Sequence, residues 1–193
     1  MPACFFCIAS DDGCDNTPLV LDAFGRSNDD ARLALVGSPP SLVLILDRLV
    51  DAAGICAQVD MCGWIADEGL RSLYRGAIAL VHPGKFRAFG GYPPLKALCQ
   101  ATPVINLEAQ GASPLEGFAA MLPNEDPCAP ASAMVDLVED GEKRDRMGER
   151  GRGDVSVQLG EGRLPVPGIA RRGLVHGSVE GPEPRGPRRR CPR

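Results

Sequence analysis

The sequence predicts an α/β protein built on a single Rossmann-like, doubly wound parallel sheet. Two apolar runs, residues 3–9 and 31–36, are nearly continuous rather than alternating with polar residues, as expected of strands buried on both faces. Further strand-like segments follow at intervals that hold residues recurring at helical spacing. Each interval is long enough for a crossover helix, which parallel neighbours require.

The elements follow in order. Residues 3–9 (ACFFCIA) form the first strand, and Asp11 to Asn16 is a turn cluster. Asn16 or Thr17 is placed to cap a helix with Pro18 in its first turn, and Leu19, Val20, Ala23 and Phe24 recur at helical spacing. Ala31–Val36 is the second strand, ended by Gly37, and Ser41 opens a second helix whose apolar positions continue through Leu49 and Val50 to Gly54. A third strand near Val59–Cys62 ends at Gly63-Trp64. Asp67–Tyr74 reads as a helix, Ala77–His82 as a strand, Pro93–Gln100 as a helix and Pro103–Leu107 as the fifth strand. Ala129–Val138 and Glu142–Arg152 are expected as closing helices. Ligands of doubly wound sheets bind outside the carboxyl ends of the strands. The candidate site is therefore Ala9–Asn16, Gly37–Ser41, Gly63–Asp67, Pro83–Pro94 and Glu108–Glu116.

Composition divides the chain and excludes several classes. Residues 1–150 carry a net charge of −9 and residues 151–193 one of +5. The second segment is a low-complexity Gly/Pro/Arg tail without an aromatic residue, so it offers little apolar surface to offset the entropy of ordering and is expected to be disordered. The longest apolar run, Leu42 to Leu46, is far short of the ~20 residues that span a bilayer. The first ten residues hold no Lys or Arg of a secretory signal, so the expected compartment is the cytoplasm. Cys4 and Cys7 have the spacing of a zinc knuckle, but no second close pair or nearby His completes four ligands. Reduced thiols buried on strands and helices are expected instead, with no metal site. The loop after the first strand has one Gly where a dinucleotide fingerprint needs three, and no Gly-Lys-Ser/Thr ending of a P-loop occurs. His82, at a strand end, reads as a packing or hydrogen-bonding residue rather than a base.

The informative segment is 82–104, HPGKFRAFGGYPPLKALCQATPV. A strand delivers the chain to Pro83, a glycine-bearing loop follows, and a helix begins at two prolines. This resembles the signature of group 1 (family 4) retaining glycosyltransferases: Pro-Ser, two residues, Glu-Gly-Phe-Gly, Pro, Glu-Ala, then Gly-Thr-Pro-Val. The matching positions are Pro83, Phe89, Gly90, Pro93, Pro94, Leu95, Ala97, Thr102, Pro103 and Val104. Flanking pieces fall in the family's order: Thr17–Phe24, Ala31–Gly37, Gly63-Trp64-Ile65, Asp67–Ala77 and Leu115-Glu116-Gly117. The resemblance implies half of a GT-B fold, with residues 1–150 as the C-terminal, nucleotide-sugar-binding domain and the N-terminal acceptor domain missing. It implies transfer of a hexosyl group from a nucleotide diphosphate sugar, with no metal or cofactor. Backbone N–H groups of Phe89, Gly90, Gly91 and Tyr92, just before a helix, suit the diphosphate. Trp64 and Ile65 are implied as further substrate-binding positions.

The same resemblance exposes departures. The family places two Glu residues on this loop and helix; here Arg87 stands at the first, catalytic position and Lys96 at the second, which would accept from ribose hydroxyls. Lys and Arg only donate hydrogen bonds, so the reversal argues against ordinary catalysis. The family's phosphate-gripping Arg and Lys align near Ser10 and at Asp15, beside Asp11 and Asp12. That acidic turn reads as an exposed cap of the next helix. Beyond Arg152 the family's Phe-Ser-Trp-Glu is absent. Yet synonymous codons for Gly153–Ala170, read one nucleotide later, encode a peptide containing Phe-Ser-Trp-Glu-Lys-Ala-Ala, so residues from about Gly153 onward are expected to be a frameshifted translation. Two functions stand side by side: the donor domain of a glycosyltransferase, or an inactive fragment or non-catalytic nucleotide-binding module. Non-specific nucleic-acid binding by an arm of Arg185, Arg188, Arg189, Arg190 and Arg193 is a weaker idea, opposed by the acidic body, and no specific nucleic-acid partner is expected.

Overall fold

The computed structural model describes residues 4–9, 16–27, 30–38, 40–83, 92–107, 119–122 and 126–160. Six strands and six helices follow in the order β1 (Cys4–Ile8), α1 (Thr17–Ser27), β2 (Arg32–Val36), α2 (Pro40–Ala52), β3 (Val59–Gly63), α3 (Asp67–Gly76), β4 (Ala79–His82), α4 (Tyr92–Cys99), β5 (Val104–Leu107), β6 (Ala120–Leu122), α5 (Cys128–Glu139) and α6 (Gly141–Gly160). All pairings are parallel and the strand order is β3-β2-β1-β4-β5-β6, the doubly wound arrangement expected from the sequence.

Strand periodicity sorts the core onto two faces. Phe5 and Cys7 of β1 join Leu33, Leu35, Ala79, Val81, Ile105 and Leu107 on one face, beneath Val20, Leu21 and Phe24 of α1, Leu46 and Val50 of α2, and Met134 and Leu137 of α5. Phe6 joins Ala34, Leu80 and Val104 on the other, beneath Tyr74 of α3, Ala97 and Leu98 of α4, and Val155 of α6. Both sides of β1 are thus sealed, which is why its sequence does not alternate. Phe5 meets Phe24 edge-on at 6.4 Å and Phe6 meets Tyr74 edge-on at 5.0 Å. Each fully buried Phe or Leu stabilises the fold by about 1.5–3 kcal/mol.

Three findings depart from expectation. β6 was not expected: its three residues are too few to show a period, and pairing with β5, Ile105 opposite Ala120, creates it. α6 continues to Gly160, past the expected end at Arg152, despite Gly148, Gly151 and Gly153. Val155, fully buried, anchors the added turns, and exposed Arg150–Asp154 and Arg152–Glu149 pairs contribute a few tenths of a kcal/mol each. The thiols are less buried than expected: Cys7 is buried, whereas Cys62, Cys99 and Cys128 are exposed. Cys4 and Cys7, an odd step apart on β1, face opposite sides of the sheet, so they do not form a chelating pair. Residues 161–193, the bulk of the tail, lie outside the described residues.

Candidate functional site

The candidate site lies at the carboxyl edge of the sheet, where Ala9, Gly37, Gly63 and Pro83 leave β1 to β4. The strand order reverses between β1 and β4, the place where a crevice opens in such sheets. At the β2–β3 side, Gly37 (φ +77°) and Gly63 (φ +61°) both adopt left-handed backbone that a side chain would resist. The Gly37 N–H donates to the Gly63 carbonyl at 2.5 Å and ties the two exits together. The turn at Gly63 releases Trp64 outward, 58% exposed. Ile65 is held back by α3: a β-carbon on Gly69 would lie 2.8 Å from the Ile65 Cγ2, so the missing side chain makes its seat. Ser38, just after Gly37, is buried.

On the other side of the reversal, His82 and Asn106 stand in register at the ends of β4 and β5. Asn106 is fully buried and His82 partly so, on the face covered by α4. The Asn within Val-Ile-Asn-Leu is a readable signal, a polar residue in an apolar strand, that motif spacing does not pick out.

Helix starts set the electrostatics of this edge. α3 opens with Asp67 and Glu68, which occupy its own positive end. α1, α2 and α4 have no acid in their first turns. A helix start without an acid of its own suits an anion, and α4 has a reduced donor set there: Pro93 and Pro94 have no N–H, leaving Tyr92 and Leu95. Lys96 is exposed on α4.

Of the residues singled out from the sequence, Trp64 and Ile65 fall in the β3–α3 turn, Tyr92 opens α4 at the carboxyl edge, and Lys96 stands in the last turn of that helix. Trp64 and α4 stand on opposite sides of the reversal, with β2 and β1 between β3 and β4. At ~4.8 Å per strand that is roughly 15 Å, the reach of an extended ligand rather than of one small group. Arg87, Phe89, Gly90 and Gly91 lie outside the described residues, as do Ser10 to Asp15. A cavity of about 310 Å³ lies at the opposite edge, lined by Arg75, Ala101, Thr102, Arg144 and Asp145. It opens where α3 and α4 end, Arg75 Nε donates to Gln100 Oε1 at 2.9 Å, and none of the expected site residues reaches it.

Residues 5–154 match the family described as "Glycosyl transferases group 1". No curated protein matches the chain by sequence. Among solved structures, sucrose-phosphate synthase from Thermosynechococcus elongatus superposes with a TM-score of 0.70 at 22% identity, covering 85% of this chain and 45% of that one. The C-terminal domain of a group 1 family glycosyl transferase from Francisella tularensis gives 0.65 at 18% identity, covering 82% of this chain and 88% of that one. Anabaena HepE in complex with UDP-glucose gives 0.69 at 14% identity, covering 86% and 49%. The chain spans less than half the length of the first of these.

Proposed function

This chain belongs to the group 1 glycosyl transferases, and on that premise we propose that it is a nucleotide-sugar-binding donor domain, serving hexosyl transfer to an acceptor within a larger enzyme. The observation that carries the reading is the carboxyl edge, with acid-free helix starts at α1, α2 and α4 and an exposed Trp64 across the reversal. Phosphates suit the helix starts, and an aromatic face suits a nucleobase. The UDP-glucose bound by Anabaena HepE supports a uridine diphosphate sugar as the donor here. In this reading Trp64, Ile65, Tyr92 and Lys96 flank the donor, with Phe89, Gly90 and Gly91 completing the phosphate loop and Arg87 beside the sugar. The donor is a substrate; binding it requires no metal or cofactor. The setting is cytoplasmic. Among the described residues no helix is long and apolar enough to cross a membrane.

The donor-binding unit comprises residues 1–150 with the continuation of α6, whose Val155 joins the core cluster that holds Leu98 and Phe6. Donor and acceptor must be held together for transfer, and in this reading the acceptor is bound by a separate domain. A second reading, a non-catalytic nucleotide-binding module or an inactive fragment, is favoured by Lys96, an exposed cation on α4 where the resemblance calls for a ribose-accepting carboxylate. Calorimetric titration of the chain with uridine, guanosine and adenosine diphosphates tests donor binding. Saturable heat with the uridine nucleotide is expected, and titrations without heat for all three would remove it.

A further inference from the structure

We draw no further inference here: the strongest candidate, the exposed apolar flank of α2 that carries Leu44 and Ile45 beside Asp47, Arg48 and Asp51, supports none because nothing in the structure shows what covers it.

Discussion

Gly148 of α6 lies against the main chain of Ala101: a β-carbon on Gly148 would sit 2.0 Å from the Ala101 carbonyl oxygen and 2.9 Å from its carbonyl carbon. The obstacle is backbone, which cannot swing away as a side-chain tip can. Gly148→Ala is therefore expected to lift α6 from the turn after α4 and to destabilise the chain by about 1–3 kcal/mol. Urea unfolding measures it; an unchanged midpoint would show that α6 does not pack there.

Ala101 itself sits at φ +58°. It closes α4 with the Thr102 N–H donating to the Ala97 carbonyl at 2.9 Å, the pattern in which Gly is preferred at this place. The resembling family has Gly-Thr-Pro-Val here, and this chain has Ala. Ala101→Gly is expected to raise stability by roughly 1 kcal/mol, because left-handed backbone costs a residue with a β-carbon about that much. A lower melting temperature in the variant would contradict it.

Tyr74 is 3% exposed, and its hydroxyl has no hydrogen-bond partner among the described residues. Burial pushes its ionisation well above the ordinary value. A raised folded-state pKa means that the neutral phenol is favoured in the fold, so this contribution is intact below about pH 10 and is lost as pH rises above it. Cys4, half-buried on β1 and also raised chiefly by burial, adds an earlier decline from the ordinary thiol range. Tyr74→Phe is expected to be neutral or stabilising by up to about 1 kcal/mol at neutral pH. It should also flatten the loss of stability above about pH 10 while leaving the thiol part. Denaturation midpoints across alkaline pH read both effects.

Val155 is fully buried beyond the composition break at residue 150. A chain ending at Arg150 should melt below one ending at Gly160, and Val155→Ala should account for about 2 kcal/mol of the difference. Equal melting temperatures would mean that the last turns of α6 add nothing to the core.

Lys96 is the accessible place to restore a ribose acceptor. Lys96→Glu is expected to tighten uridine diphosphate binding roughly tenfold, since one charge-assisted hydrogen bond contributes about 1.5 kcal/mol. Inorganic pyrophosphate, which has no ribose, should bind no better. Equal gains for both ligands would place Lys96 near the phosphates instead.

Much of this architecture was legible because local pattern and tertiary role coincide. ACFFCIA reads as doubly buried and β1 is sealed by Phe24 on one face and Tyr74 on the other. Gly37 and Gly63 read as strand ends and take the positive φ values that end them. β6 was hidden because its existence depends on β5 rather than on its own three residues. The end of α6 was hidden because three glycines lower its helix propensity while a long-range contact at Val155 holds it. At the site, residue types at Trp64 and Tyr92 could be read, whereas the register that sets Asn106 beside His82 comes from strand pairing.

The placement of β1 has a consequence for synthesis. Its neighbours are β2, close behind it in the chain, and β4, where Phe5 meets Ala79. As the chain emerges from the ribosome, β1 gains one neighbour early and presents an apolar open edge until β4 has been made. Such an edge invites pairing with other nascent chains. The interval between β2 and β4 is therefore the stage at which a chaperone would do most for the yield of this protein, and slowed translation within that interval would lower it.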